Sequence, residues 1–176
     1  MRKDAPGFTL VECLTVLAIF AVLCGLALPG FQDTLRRQRA TTALHLVSAQ
    51  LAQARATAVM QRQPVTLCPS QGDGRCHDAP DWSGGWLLYR DPQRRNQPVT
   101  AADILRDVRQ PFAASVQVHS SGGRLRVRYQ PDGRSGGSNL TLRVCQDARL
   151  DGEVIVNNVG RVRTRKPVVA TPCPAS

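Results

Sequence analysis

The stretch Gly160–Lys166, GRVRTRK, places Arg161, Arg163, Arg165 and Lys166 within seven residues without one acid. In an extended chain alternate side chains share a face, so the three guanidinium groups would stand about 6.6 Å apart. That spacing suits successive phosphates of a polyanion. No aromatic residue interleaves the cations, so base stacking is not indicated, and contacts of this kind hold phosphate without reading sequence. Four of them predict a log–log salt slope of about −3.6 on duplex DNA. The competing reading is a solvated hairpin edge kept basic against aggregation. A second set, Arg124, Arg126 and Arg128, alternates with Leu125, Val127 and Tyr129. It either extends the basic surface or forms an ordinary solvated strand face.

Catalysis finds no residues. His45, His77 and His119 lie far apart, and the chain has no G-x-S-x-G, H-E-x-x-H or Walker loop. No enzyme and no cofactor are expected. Asp73, Asp78 and Asp81 share a loop without the calcium-binding EF-hand pattern, so a solvated loop is expected and no metal. Trp82 and Trp86 are expected to pack the core.

The whole chain is basic: 23 Lys and Arg against 13 Asp and Glu give a net charge of +10, and Lys3 and Lys166 are the two lysines. Such a balance points to nucleic acid or anionic lipid as partner, or to a generally basic surface.

The elements that must position these groups begin with an apolar run. Phe8 to Phe31 carries one charged residue, Glu12. A helix over this run is about 36 Å long, enough to cross a hydrocarbon core of about 30 Å. Residues 32–63 continue as an amphipathic helix, with Leu44, Val47, Leu51, Ala54 and Ala58 on one face, until Pro64 stops it. A kink or local unwinding is expected at Pro29–Gly30. Arg36, Arg37 and Arg39 follow the span on its outer side, against the positive-inside rule; acidic neighbours in an assembly would accommodate them.

Beyond Pro64, short β-like runs alternate with turn residues: PVTLC, GWLLYR, SVQVHS, RLRVRYQ, NLTLRVC and EVIVNNV. They predict an α+β class, antiparallel sheets with one face on the long helix. Cys13 and Cys24 lie in the apolar run. Of the three pairings open to the other four cysteines, the sequence neighbours Cys68–Cys76 and Cys145–Cys173 are the economical choice, and disulfides imply an oxidising compartment.

GFTLVE at Gly7–Glu12 resembles the processing site of type IV pilin-like proteins. The resemblance implies that residues 1–7 are a leader, that prepilin peptidase cuts between Gly7 and Phe8, and that the Phe8 amine is methylated. Glu12 falls at the family's acidic position. There the helix dipole favours a carboxylate, and in a filament it can pair with the amino-terminal charge of a neighbouring pilin. The order VTLCPSQGDGRCHDAPDWSGGWLLYRD, YQPDGRSG, LTLRVC and GRVR resembles the FimT and GspH branch of minor pilins and pseudopilins. It implies a type IV pilin-like fold with residues 8–31 in the membrane or filament core, 32–63 continuing the helix, and 64–176 forming the globular domain. It also implies that the Gly-Arg-x-Arg of Gly160–Arg163 binds double-stranded DNA in natural transformation. The chain would stand in bacterial inner-membrane lipid with its globular part periplasmic, then enter a pilus at the cell surface among other pilins. The alternatives are a GspH-type pseudopilin of type II secretion and a priming minor pilin without a DNA role.

Overall fold

A computed structural model describes residues 9–174; the proposed processing pair Gly7–Phe8 lies outside them. The chain divides into two compact units, the first ending at Gln38 and the second beginning at Arg39. One helix, α1 (Leu10–Gln61), contributes to both.

In the first unit the helix shows apolar side chains in every direction: Leu10, Val16, Phe20, Leu26 and Phe31 are all more than half exposed. An all-round apolar helix needs lipid or other helices about it, and this one is long and apolar enough to cross a membrane. It runs unbroken through Pro29 and Gly30 in place of the expected unwinding. A proline removes a single ladder donor, here the one that would reach the Gly25 carbonyl, and the helix continues on either side of it.

The second unit holds the last turns of α1, whose Ala43, Leu44, Val47, Leu51, Ala54 and Ala58 are buried. This is the apolar stripe that helical periodicity predicts. Arg62, at φ 52°, takes the left-handed conformation that ends the helix just before Pro64.

Two antiparallel sheets follow. The first orders β3 (Ile104–Arg109), β2 (Gly85–Arg90), β1 (Val65–Pro69) and β5 (Val127–Tyr129). The second orders β4 (Val116–Ser120), β6 (Leu140–Gln146), β7 (Arg149–Val156) and β8 (Val162–Arg165), with β9 (Thr171–Pro172) also on β7. Their apolar faces share one core with the helix stripe, and Trp82 and Trp86 are buried in it, Trp86 tilted against Phe112 at 5.6 Å. Strand β3 has no counterpart among the predicted runs: ILRDVR is a half-exposed edge strand, and its charges hide the alternation. RLRVRYQ contributes three strand residues, and the expected strand at EVIVNNV begins at Arg149 and ends at Val156, giving way to a turn at Asn157.

Two disulfides are present, Cys68–Cys76 and Cys145–Cys173. The first lies in a small buried cluster with Leu87 and Tyr89. The second ties β6 to the segment after β9.

Candidate nucleic-acid interface

The basic stretch is the second arm of a β-hairpin, and the turn before it is fixed from both sides. Gly160 N–H donates to Asn157 O at 2.9 Å and Arg161 N–H to Asn157 Oδ1 at 2.9 Å. The loop 130–137 grips the same turn: Ser135 N–H and Gly136 N–H donate to Asn158 O, and Ser135 Oγ–H donates to Asn157 O at 2.7 Å. Arg55 of α1 donates to Gly133 O at 3.0 Å. The PDGRSG and GRVR segments are thus one packed unit.

Strand β8 is an edge of its sheet and pairs with β7 alone, with Val156 opposite Val162, Ile155 opposite Arg163 and Glu153 opposite Arg165. Val162 packs against the core, so pleating turns Arg163 and Arg165 to the other face. Arg161 precedes the strand and borders a groove floored by Ala52, Ala56, Val59 and Met60 of α1. Lys166 follows the strand. Arg161, Arg163 and Lys166 are exposed, and among the described residues their charged groups have no partner.

Arg165 differs. Its Nε and Nη2 donate to Glu153 Oε2 at 3.0 and 2.5 Å, so its charge is met on the outer face of the sheet. Of the four cations expected to meet phosphate, three are open among the described residues and Arg165 is paired.

The second basic set is corrected more fully. Arg124 donates to the carbonyls of Arg126, Ser135 and Ser138. Arg126 is ion-paired with Asp78 and donates to Asn96 O. Arg128 donates to Asp91, a carboxylate that is 2 % exposed, at 2.7 Å and to Thr66 Oγ1 at 3.2 Å. Burial lowers the guanidinium pKa of Arg124 and Arg126. These arginines tie loops to β1 and β5 and present no open basic face. The loop carboxylates also separate: Asp73 contacts His77 at 3.0 Å, Asp78 takes Arg126, and Asp81 accepts from Ser83 N–H at 2.8 Å.

At the other end of the chain, Glu12 Oε2 accepts from Thr9 N–H at 3.2 Å and Thr9 Oγ1 accepts from Glu12 N–H at 3.3 Å. This is a capping box, which terminates a helix by satisfying two orphan amides reciprocally. The T-x-x-E spacing that signals it stands in the sequence, at the same glutamate for which the pilin resemblance implies an intersubunit role.

Comparison with known proteins places these features. Residues 43–160 match the family described as type II transport protein GspH, and residues 2–28 match the prokaryotic N-terminal methylation motif. The GspH match stops at Gly160, so Arg161 and the cations after it lie beyond it. The fimbrial protein EcpC of Eikenella corrodens is 41% identical over 50 residues, 28% of this chain and 33% of that protein. A fimbrial protein of Pseudomonas aeruginosa is 36% identical over 71 residues, 40% of this chain and 46% of that protein. The chain thus spans about a third to a half of the length of the curated relatives it matches. Among solved structures, the type IV minor pilin FimU of Pseudomonas aeruginosa superposes with a TM-score of 0.57 at 18% identity, covering 78% of this chain and 97% of that one. That likeness bears on the fold. With its N-terminal methylation motif, its long helix on antiparallel sheets and residues 43–160 matched, the chain belongs to the GspH family and has the type IV pilin-like fold.

Proposed function

We propose that this chain is a minor pilin of a type IV pilus that captures extracellular double-stranded DNA through Arg161, Arg163 and Lys166. Prepilin peptidase cuts between Gly7 and Phe8, within the matched methylation motif. The apolar part of α1 is held in inner-membrane lipid before assembly, and the globular part faces the periplasm. Glu12 pairs with the Phe8 amine of a neighbouring subunit during assembly. The observation that carries the DNA reading is the edge of β8, where three exposed cations that have no carboxylate or carbonyl partner among the described residues follow a clamped turn.

The test is a titration of duplex DNA into the full-length chain in neutral detergent. Three phosphate contacts give a log–log salt slope of about −2.7. Arg161→Ala with Arg163→Ala should abolish most of the affinity and, in cells, DNA uptake, with pili still present. A salt-independent affinity defeats the mechanism.

A second reading is favoured by the family's description, which is that of a type II transport protein: a pseudopilin whose basic edge docks on acidic subunits. Secretion genes beside the coding gene, and loss of filaments on charge reversal at Arg161 and Arg163, would support it over capture.

A further inference from the structure

Glu153 is the last acidic residue in the sequence, and it is buried at the centre of β7. A buried carboxylate requires partners, and both cross-strand neighbours supply one: Arg143 on β6 and Arg165 on β8. Oε2 takes the two N–H groups of Arg165, while Oε1 lies 3.5 Å from Arg143 Nε. One carboxylate thus serves two guanidinium groups, one oxygen each, in a row across three strands.

The two arginines do not need it equally. The Arg143 side chain is 28 % exposed, and Glu153 offsets its desolvation. Arg165 is 71 % exposed and would be hydrated without a partner. Its closer and better-aligned pairing is therefore not something burial demands. What the pairing changes is the charge of the edge, because Arg165 sits between Arg163 and Lys166. Binding to a polyanion scales with the positive charges it neutralises. A guanidinium already giving two N–H groups to a carboxylate brings little net charge to phosphate, and its Nε–Nη2 edge is committed, which leaves only the Nη1–Nη2 edge for other contacts.

We propose that Glu153 masks Arg165, removing it from the phosphate-contacting set and holding the edge to three acting cations. The inference rests on the polyanion reading above. Its consequence is a contact kept weaker, and less steeply dependent on salt, than four cations would make it, so that a long polymer can be bound and passed on. Arg165 remains charged and in register, one side-chain rotation from joining its neighbours.

The experiment is a salt series of duplex DNA binding by the full-length chain in neutral detergent. It compares wild type, Glu153→Gln, Arg165→Ala, Arg163→Ala and the double variant Glu153→Gln with Arg165→Ala. Glu153→Gln should tighten binding several-fold and steepen the slope by about 0.9, the increment of one phosphate. Adding Arg165→Ala should cancel that gain. In the wild-type background Arg165→Ala should change the slope far less than Arg163→Ala does, and this comparison stands if Glu153→Gln does not fold. Masking is overturned if folded Glu153→Gln binds no more tightly than wild type, or if Arg165→Ala flattens the slope as much as Arg163→Ala. A wild type that binds with its own salt slope beside an unresponsive Glu153→Gln overturns masking alone. A wild type that fails to bind duplex at low salt overturns both readings.

Discussion

Gly160 packs its bare Cα against the backbone of Gly133: a Cβ added there would lie 2.0 Å from the Gly133 carbonyl oxygen and 3.2 Å from Tyr129 Cε1. Its φ is +80°. The glycine of the Gly-Arg-x-Arg stretch is thus required by the backbone, whereas the arginines after it face water. Left-handed geometry alone costs another residue about 1–2 kcal/mol, and the contact with a carbonyl cannot be relieved by rotating a side chain. Gly160→Ala should lower the melting temperature by at least about 3 °C and weaken DNA binding through displacement of β8. Unchanged melting in a thermal denaturation series would show that the turn can take another path.

The Cys145–Cys173 bridge closes a segment of 28 residues that contains all of β7 and β8. Beyond β8 this segment is held by the two-residue pairing of β9 with Arg149 and Leu150 and by the Cys173 N–H bond to Ala148 O. On a chain-entropy model a loop of this length contributes about 3.5 kcal/mol. Replacing both cysteines by serine should reduce unfolding free energy by roughly that amount in urea titrations. It should also weaken DNA binding, because ordering the cations then costs more on association, while helix content measured by circular dichroism stays the same. Equal affinity for bridged and unbridged protein would contradict the restraining role.

Much of this architecture is legible in the residues, because local rules act within a few positions. The stripe Leu44, Val47, Leu51, Ala54 and Ala58 is buried throughout, and Pro64 follows closely on the helix end. What the spacing of side chains does not carry is the identity of distant partners. Arg124, Arg126 and Arg128 alternate like an exposed strand face, yet Asp91 and Asp78 come from other elements to meet two of them, and loop carbonyls meet the third. Arg165 reads like Arg163 until the register of β7 sets Glu153 opposite it and Ile155 opposite its neighbour. Strand β3 escapes notice for a related reason: an edge strand pairs on one side, and ILRDVR can leave its charges in water.

The two tyrosines report on core integrity at alkaline pH. Tyr89 and Tyr129 are both fully buried. Burial, with the charge of Asp91, pushes the Tyr89 phenol up to about 12, and burial raises Tyr129 as well. Their pKa in an unfolded chain is about 10. A phenol raised in the folded state contributes stability that is fully present below the unfolded value and is lost as pH rises toward the folded one. Stability should therefore decline from about pH 10 upward, and tyrosinate absorbance should stay flat until both phenols ionise together with loss of the dichroic signal. A gradual rise of absorbance in still-folded protein would place at least one phenol in water.

Glu12 has two possible tasks, and a single atom change separates them. In the isolated chain its carboxylate caps α1 by accepting from Thr9 N–H and Oγ1–H, and both residues follow the proposed cut, so the mature chain retains the box. Pairing with the amine of a neighbour needs the negative charge, whereas capping does not, because glutamine fills the same place in a capping box. Glu12→Gln should therefore leave helix content and leader removal unchanged. Its incorporation into sheared filaments, measured by immunoblot, should fall at least tenfold, since breaking a buried ion pair costs about 3–5 kcal/mol. Thr9→Ala makes the opposite trade: it removes the cap, at about 1 kcal/mol, and keeps the charge, so incorporation should survive. If Glu12→Gln assembles as well as wild type and Thr9→Ala does not, the carboxylate serves its own helix, and subunit register comes from the apolar packing of α1.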